Sequence, residues 1–182
     1  MADKHLVMTF GRFNPPHVGH LKLANAVKDH AKKIGADHAV YLSQSHDKKK
    51  NPLPPDVKHG IAKKVLRGHN VVSHPKVRNM FHAAEHAAKN GYSHATLVVG
   101  SDRHEEMSKK SDALANHPGL KSVNVVSAGH RDPDSQDRVE RASGTEARKR
   151  AKSGVTSFRS IMPKHLSDRE VRNIHSTLST HL

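Results

Sequence analysis

The feature that most constrains the fold is a regular alternation between short apolar runs and longer segments with helical periodicity. Five runs of strand length lie at residues 5–10, 38–42, 71–73, 96–99 and 123–126. Segments with a helical pattern lie at residues 18–34, 56–66, 76–89, 145–152 and 167–178. Strands that alternate with helices form parallel sheets whose faces the helices cover. The sequence therefore predicts an α/β fold built on a doubly wound, parallel, five-stranded sheet.

The 182 residues are expected to form one compact unit, because no linker or low-complexity segment interrupts them. We place an α/β domain at residues 1–156 and a small C-terminal helical appendage, packed on the same domain, at residues 157–182. No apolar run reaches the length of a membrane span, and the first ten residues lack the apolar core of a signal peptide. We therefore expect a cytoplasmic protein that makes no use of a membrane.

The charge balance favours anionic partners. The chain has 31 Lys and Arg against 17 Asp and Glu, which gives a formal net charge of +14. Nucleotides, phosphorylated metabolites and nucleic acid all suit such a surface. Four Phe, two Tyr and no Trp offer few platforms for stacked bases, so nucleic acid is the secondary candidate. The absence of Cys excludes disulfides, thiolate metal sites and a Cys nucleophile. A homo-oligomer is left open.

Ligands of open parallel sheets bind beyond the carboxyl ends of the strands. Three such ends are rich in polar residues here, at 11–20, 100–103 and 129–145. The first of these segments reads GRFNPPHVGH. Its glycine, Gly11, lets the backbone approach a ligand closely, and two consecutive prolines stiffen the turn that follows.

Two histidines of this segment, His17 and His20, stand three residues apart at the predicted start of a helix, so both face one side. Free N–H groups at the helix start and the two imidazoles would together bind a polyphosphate. An H-x-x-H pair alone arises easily by chance in a chain with 18 His. The full pattern G-x-F-x-P-x-H-x-G-H is far more specific, because it fixes six residues between a strand and a helix.

The segment resembles the signature of the HIGH-type nucleotidyltransferases, the cytidylyltransferase-like superfamily, whose fold is Rossmann-like. A second element of that superfamily has the form S-[ST]-T-x-x-R, and residues 143–148 here read SGTEAR. Ser143 and Thr145 are expected to cap a helix, with Arg148 one turn further on and available for a phosphate.

Within the superfamily, two subgroups are the most similar. Residues 43–53, 100–103 and 127–135 resemble a subgroup encoded by tailed phages, which would place the protein in the host cytoplasm. Residues 143–154, followed by a Met-Pro pair at 162–163, resemble archaeal-type NMN adenylyltransferases, and Arg12 matches the arginine that those enzymes place beside the first His.

The resemblance implies transfer of a nucleoside monophosphate from ATP or CTP to a phosphorylated small molecule, with release of pyrophosphate. Mg²⁺ would come with the nucleotide phosphates and take no ligand from the protein. The implied catalytic residues are His17, His20 and Arg148. The implied nucleotide-binding residues are Gly11, Arg12, Phe13, Asn14, Gly100, Ser101, Asp102, Ser143, Gly144 and Thr145.

The acceptor side is less closely matched. The chain lacks the Trp with which archaeal-type enzymes stack nicotinamide, and Phe81 or His82 is the candidate substitute. Charge and position suggest that Lys48, Lys49 or Lys50 closes over the acceptor or the triphosphate as part of a mobile loop. The alternative interpretation of this Lys run is a solvated turn.

Several alternatives remain. Adenylyl transfer to NMN is favoured over cytidylyl transfer to another phosphorylated small molecule, and a non-enzymatic, basic nucleic-acid-binding protein is the alternative from another class. The H-x-x-E-H pattern from His82 to His86 also matches an inverted zinc-protease motif, although a His-rich surface explains it more simply. The Asp132-Pro133-Asp134 segment is interpreted as a turn rather than a metal site.

Overall fold

A computed structural model describes residues 3–116, 118–129 and 137–182 of the chain. Its centre is a parallel sheet in the order β3-β2-β1-β4-β5. The strands are β1 (His5–Gly11), β2 (Asp37–Leu42), β3 (Val71–Val72), β4 (His94–Val99) and β5 (Ser122–Ser127). The predicted α/β, Rossmann-like architecture with five parallel strands is confirmed.

Helices follow the strands in the described ranges. They are α1 (Val18–Ile34), α2 (Pro55–Val65), α3 (Met80–Lys89), α4 (His104–Ser108), α5 (Ser111–Asn116), α6 (Arg138–Arg141), α7 (Gly144–Lys152), α8 (Val155–Arg159) and α9 (Asp168–Ser179). Helix α1 has the predicted bounds, because His17 caps its start and Gly35, at a left-handed φ of 68°, ends it.

Different helices cover the two faces of the sheet. In β1, Val7 packs with Val27 and Ala31 of α1, whereas Leu6 and Met8 face the cluster formed with α3, α4 and α5. This alternation is the two-residue period of a strand that is buried on both faces. Helices therefore cover both sides of the sheet, as a doubly wound fold requires.

The C-terminal helices pack into the same core as α1, α2 and α7. Phe158 of α8 is buried, and the ring of His175 in α9 donates to the carbonyl of Ala151 in α7 at 2.9 Å. The N–H of Val18, the first residue of α1, donates to the carbonyl of Ile161 at 2.9 Å. This last bond ties the segment after α8 to the start of α1. The predicted domain limit after residue 156 falls inside α8 and stays a prediction.

Several element bounds differ from the predictions. Helix α3 begins at Met80 rather than at residue 76, because Asn79 caps it by accepting from the N–H of His82 at 2.9 Å. The short helices α4, α5 and α6 were not predicted, since four to six residues are too few to display a period. The Asp132–Asp134 turn lies outside the described residues. Within the described ranges, no helix is both long and apolar enough to cross a bilayer.

Candidate active site

A cavity of about 400 Å³ opens at the carboxyl ends of β1 and β4. The chain order reverses here, because β2 and β3 lie on one side of β1 and β4 and β5 on the other. Such switch points are where open α/β sheets bind ligands. The predicted site residues in the lining are Gly11, Arg12, Phe13, Asn14, His17, His20, Lys50, Gly100, Asp102, Ser143, Gly144, Thr145 and Arg148. Ser101, Lys48, Lys49 and Phe81 are described but do not belong to the lining.

The loop between β1 and α1 is built around a buried aromatic ring. Phe13 is 1% exposed and packs on His20, with ring centroids 4.3 Å apart. Its φ is 48°, a left-handed value that side-chain-bearing residues seldom adopt and keep only when their surroundings hold them. A Cβ on Gly11 would lie 2.7 Å from Cε2 of Phe13. Glycine at position 11 therefore makes room for the ring that supports His20.

The two signature histidines form a stacked pair with defined tautomers. Their ring centroids are 3.7 Å apart. Nδ1 of His17 accepts from the N–H of Gly19 at 3.0 Å, and Nδ1 of His20 accepts from the N–H of His17 at 3.1 Å. A neutral imidazole whose Nδ1 accepts carries its hydrogen on Nε2. Each ring, which also lines the cavity, is therefore fixed as an Nε2–H donor.

The prediction of free N–H groups at the start of α1 is wrong. Val18 donates to Ile161, Gly19 donates to the His17 ring, and the N–H of His20 donates to the His17 carbonyl at 3.0 Å. The first turn is saturated by the protein's own acceptors. Any anion at this helix end would be held by the imidazoles and the helix dipole, rather than by the amides.

Helix α7 offers the amide donors that α1 lacks. Ser143 is its cap, and the Ser143 hydroxyl accepts from the N–H of Glu146 at 3.1 Å. Thr145 lies inside the helix and does not cap it, contrary to the prediction. Among the described residues, no acceptor pairs with the N–H of Gly144 or Thr145. A Cβ on Gly144 would lie 3.3 Å from the carbonyl oxygen of Asn14, so glycine lets this helix start approach the signature loop.

Arg148 joins three segments at the cavity wall. Its Nη1 donates to the carbonyls of Asn14 at 2.7 Å and Lys50 at 3.0 Å, and Nη2 donates to Thr145 Oγ1 at 3.3 Å. Burial, with a further contribution from Arg12, lowers the pKa of Arg148. A guanidinium has five N–H donors, so Nε and the rest of Nη2 remain for an anion.

Asn14 uses its side chain to hold the loop that follows β2. Its amide oxygen accepts from the N–H of Leu53 at 2.9 Å, and its amide nitrogen donates to the Leu53 carbonyl at 3.3 Å. Asn14 is 3% exposed. Its side chain therefore positions two loops against each other, while its predicted contact with a nucleotide stays a prediction.

The Lys run at residues 48–50 is an ordered turn. Oδ1 of Asp47 accepts from the N–H groups of Lys49 at 2.9 Å and Lys50 at 2.7 Å, and Oδ2 accepts from the Asn51 side chain at 2.6 Å. Hydrogen bonds from Asn51 and the Lys50 N–H hold the pKa of Asp47 far below its usual value. Arg148 also bonds the Lys50 carbonyl, which joins this turn to α7. The predicted closing of the segment over the acceptor or the triphosphate stays a prediction.

Phe81 and the H-x-x-E-H pattern lie on α3, outside the cavity lining. Phe81 is half-buried on α3 and packs in the core on the side of the sheet that α3 covers. In the H-x-x-E-H pattern, Nδ1 of His82 accepts from the N–H of Arg78 at 3.2 Å, and Nδ1 of His86 pairs with the Tyr41 hydroxyl at 2.9 Å. No three His, Asp or Glu side chains of the described ranges are grouped to hold a metal ion. His82 and His86 therefore form no zinc site with the other described residues.

Sequence reasoning missed several residues at the cavity. Lys22 adds to a cationic lining that also contains Arg103 of the predicted 100–103 segment, and Asp102 is the one acidic lining residue among the described positions. The signal of Lys22 was present, because it lies on the same helix as the histidines. Another residue, Lys58, is fully buried behind the cavity wall. Its signal was also present, because Lys58 lies three and seven residues before Ile61 and Val65, on the buried face of α2.

The close packing of Gly11 against Phe13 predicts a large effect from a single methyl group. Gly11→Ala is expected to lower the free energy of unfolding by about 1–3 kcal/mol, because Phe13 must shift to admit the Cβ. The matched control is Gly60→Ala on α2, where a Cβ meets nothing within 4 Å. That change should leave stability unchanged or raise it by up to about 1 kcal/mol through helix propensity. Urea unfolding of both variants measures the difference, and equal stabilities would contradict the packing.

Comparisons with known proteins show a likeness in the fold. A search of curated proteins found no match. Among solved structures, TmcAL from Thermotoga maritima, crystallised with alpha-thio ATP, is similar with a TM-score of 0.52 and 15% sequence identity. The similarity covers 94% of this chain and 55% of that chain, so this chain spans little more than half of TmcAL. At that identity the likeness concerns the fold.

The family comparison is more specific. The family described as Cytidylyltransferase-like matches residues 8–150, which include both signature elements and most of the chain. This match confirms the superfamily that the two motifs indicated. The chain belongs to the Cytidylyltransferase-like family.

Proposed function

We propose that the protein transfers a nucleoside monophosphate from a nucleoside triphosphate to a phosphorylated small molecule, with adenylyl transfer to NMN as the leading reaction. An oxygen of the acceptor phosphate forms a bond to the α-phosphorus. The bond between the α-phosphorus and the oxygen that bridges it to the β-phosphorus breaks, and its electron pair leaves with pyrophosphate. No proton transfer and no covalent enzyme intermediate are needed, so catalysis consists of positioning and charge stabilisation.

The observation that carries this proposal is the fixed pair of Nε2–H donors on His17 and His20. Backbone N–H groups occupy both Nδ1 atoms, so the rings cannot switch tautomer without losing the cap of α1. Donors that are oriented in advance stabilise charge that develops on phosphate oxygens, and they need no rearrangement during the reaction. We assign them to the triphosphate and to its charge in the transition state.

The remaining residues divide between the two ends of the nucleotide. Arg12, Arg148 and the N–H groups of Gly144 and Thr145 would hold phosphates, with Ser143 shaping that helix start. Gly100, Ser101 and Asp102, which follow β4, would contact the base and ribose. Mg²⁺ would arrive bound to the triphosphate and neutralise part of its charge.

The acceptor subsite is assigned from the aromatic residues near the cavity. Phe81 lies away from the cavity lining, whereas Phe10 belongs to it. We therefore assign Phe10, rather than Phe81, as the ring available to a nicotinamide. The lack of a Trp keeps cytidylyl transfer to another phosphorylated small molecule as the second candidate. Membership of the phage or the archaeal-type subgroup, and a cytoplasmic location, remain proposals drawn from sequence resemblance.

Pyrophosphate release tests the proposal directly. The protein is incubated with Mg²⁺ and either ATP or CTP, with NMN, with a phosphorylated alcohol or with no acceptor, and pyrophosphate is followed by a coupled assay. We expect release that requires both ATP and NMN. Release only with CTP and a phosphorylated alcohol would select the second candidate. Salt-dependent DNA binding, without pyrophosphate release from any pair, would favour the nucleic-acid-binding alternative.

A further inference from the structure

Behind the cavity wall lies a buried lysine that the proposed reaction does not use. Lys58 on α2 is 0% exposed. Its Nζ donates to the carbonyl of Arg12 at 2.8 Å, to the carbonyl of Ser43 at 2.7 Å and to the Ser43 hydroxyl at 3.3 Å. These acceptors belong to the loops that leave the carboxyl ends of β1 and β2. Lys58 therefore joins two strand ends directly beneath the candidate site.

The bond to Arg12 has a specific geometric consequence. The Arg12 carbonyl and the Phe13 N–H belong to one rigid, planar peptide unit. Fixing the direction of that carbonyl therefore limits rotation about φ of Phe13. This is the torsion that takes the unusual value of 48°. A left-handed non-glycine residue requires such external support.

The chain of contacts continues to a predicted catalytic group. The Phe13 ring packs on His20 at 4.3 Å, and His20 stacks on His17 at 3.7 Å. We propose that Lys58 is a positioning residue, whose buried ammonium holds the Arg12–Phe13 peptide so that the Phe13 ring keeps His20 oriented as a donor. The assignment of an activity to His20 rests on the proposed function, whereas the orientation itself does not.

The chemistry of the amine suits this role. A protonated lysine has three hydrogens, which matches the three oxygens around Nζ. Among the described residues, no carboxylate pairs with it, and burial lowers the pKa of Lys58 to about 8. The ammonium form therefore predominates at neutral pH, although burial without a counter-charge is unfavourable. A role in loop geometry explains why such a group is retained there.

The primary test reads the orientation of His20 without any substrate. Ring nitrogen NMR on ¹⁵N-labelled protein, with the His20 signals assigned from a His20→Asn variant, should show a single Nε2–H tautomer in the wild type. In Lys58→Met, which keeps the apolar stem and removes the ammonium, we expect His20 to exchange between tautomers. Lys63→Met is the matched control, because Lys63 is exposed on the same helix. That variant should reproduce the wild-type spectrum.

Steady-state kinetics provide the second readout. We expect kcat of Lys58→Met to fall by about tenfold or more, with the KM for the nucleotide changing less than about threefold, because the group acts on a transition-state donor. If Lys58→Met does not fold, Lys58→Arg replaces it. A planar guanidinium cannot place hydrogens on three oxygens grouped around one point, so a smaller change in the same direction is expected.

The outcomes separate the two proposals. An unchanged His20 spectrum and unchanged kcat in the folded Lys58 variant would overturn the positioning role. Loss of stability alone, with a wild-type His20 signature, would also overturn it, since that result indicates a purely structural residue. A wild type that releases no pyrophosphate would count against the proposed function, while the NMR comparison still decides the role of Lys58.

Discussion

Alanine at either His17 or His20 is expected to lower kcat by about 100-fold or more. Each substitution removes an Nε2–H donor whose tautomer the backbone fixes through Nδ1. Removal of one pre-oriented donor to transition-state charge has an effect of this size in other enzymes. The KM for the nucleotide should change much less than kcat, because the donors act mainly on charge that develops during transfer.

The two histidines also have structural roles, which the experiment must separate from catalysis. His17 caps α1, and loss of a helix cap destabilises a protein by about 1 kcal/mol. His17→Asn is the informative variant, because a shorter Asn side chain is a good cap but cannot place a donor where Nε2 lies. We expect it to unfold like the wild type while its kcat falls as in His17→Ala. His30→Ala, on the same helix but outside the cavity lining, is the control that should retain wild-type turnover.

Steady-state turnover and urea unfolding are measured together for these variants. Turnover near the wild-type value in folded His17→Ala and His20→Ala would exclude the assigned catalytic role. A fall in kcat that tracks the fraction unfolded would reduce both residues to structural groups.

The fold could be predicted wherever apolar periodicity extended over a full element. Helix α1 has the predicted bounds because a cap, an amphipathic pattern and a terminal glycine agree over residues 17–35. Strand β3 was also predicted, at residues 71–73, although only two of these form the strand. Helices α4 to α6, in contrast, were not predicted, and they contain four to six residues each. At those lengths, contacts with the rest of the chain determine the structure, and the local sequence carries little signal.

In the candidate site, too, the local sequence does not reveal contacts with distant parts of the chain. The motif brought Gly11, His17 and His20 to one sheet edge, since strand and helix bounds fix their position. The partner of the Val18 N–H is Ile161, which lies far along the chain, so the saturation of this helix start was not predictable. Helical spacing places Lys58 on the apolar face of α2. Its acceptors lie on two distant loops, which the local sequence does not identify. The sequence indicated which donor groups lie near the site. Tertiary contacts decided which of these donors remain available to a ligand.

Arg148→Ala is expected to lower kcat/KM by about 100- to 1000-fold, because two functions are lost together. The guanidinium presents donors for a phosphate, and one such donor to a reacting group contributes on this scale. It also bonds the carbonyls of Asn14 and Lys50, which holds the signature loop and the 48–50 turn beside α7. The free energy of unfolding should fall by about 1–3 kcal/mol, since those carbonyls lose a charged donor.

Arg148→Lys distinguishes this account from a simple requirement for positive charge. A lysine ammonium cannot span both carbonyls and also reach a phosphate, since it lacks the planar fork of donors. We therefore expect Lys at this position to recover little of the lost kcat/KM. Lys149→Ala, at the exposed neighbouring position on α7, is the control and should leave both activity and stability close to wild type. If Arg148→Lys transfers nucleotide at nearly the wild-type rate, the site needs only charge here, and the bridging geometry of Arg148 has no part in catalysis.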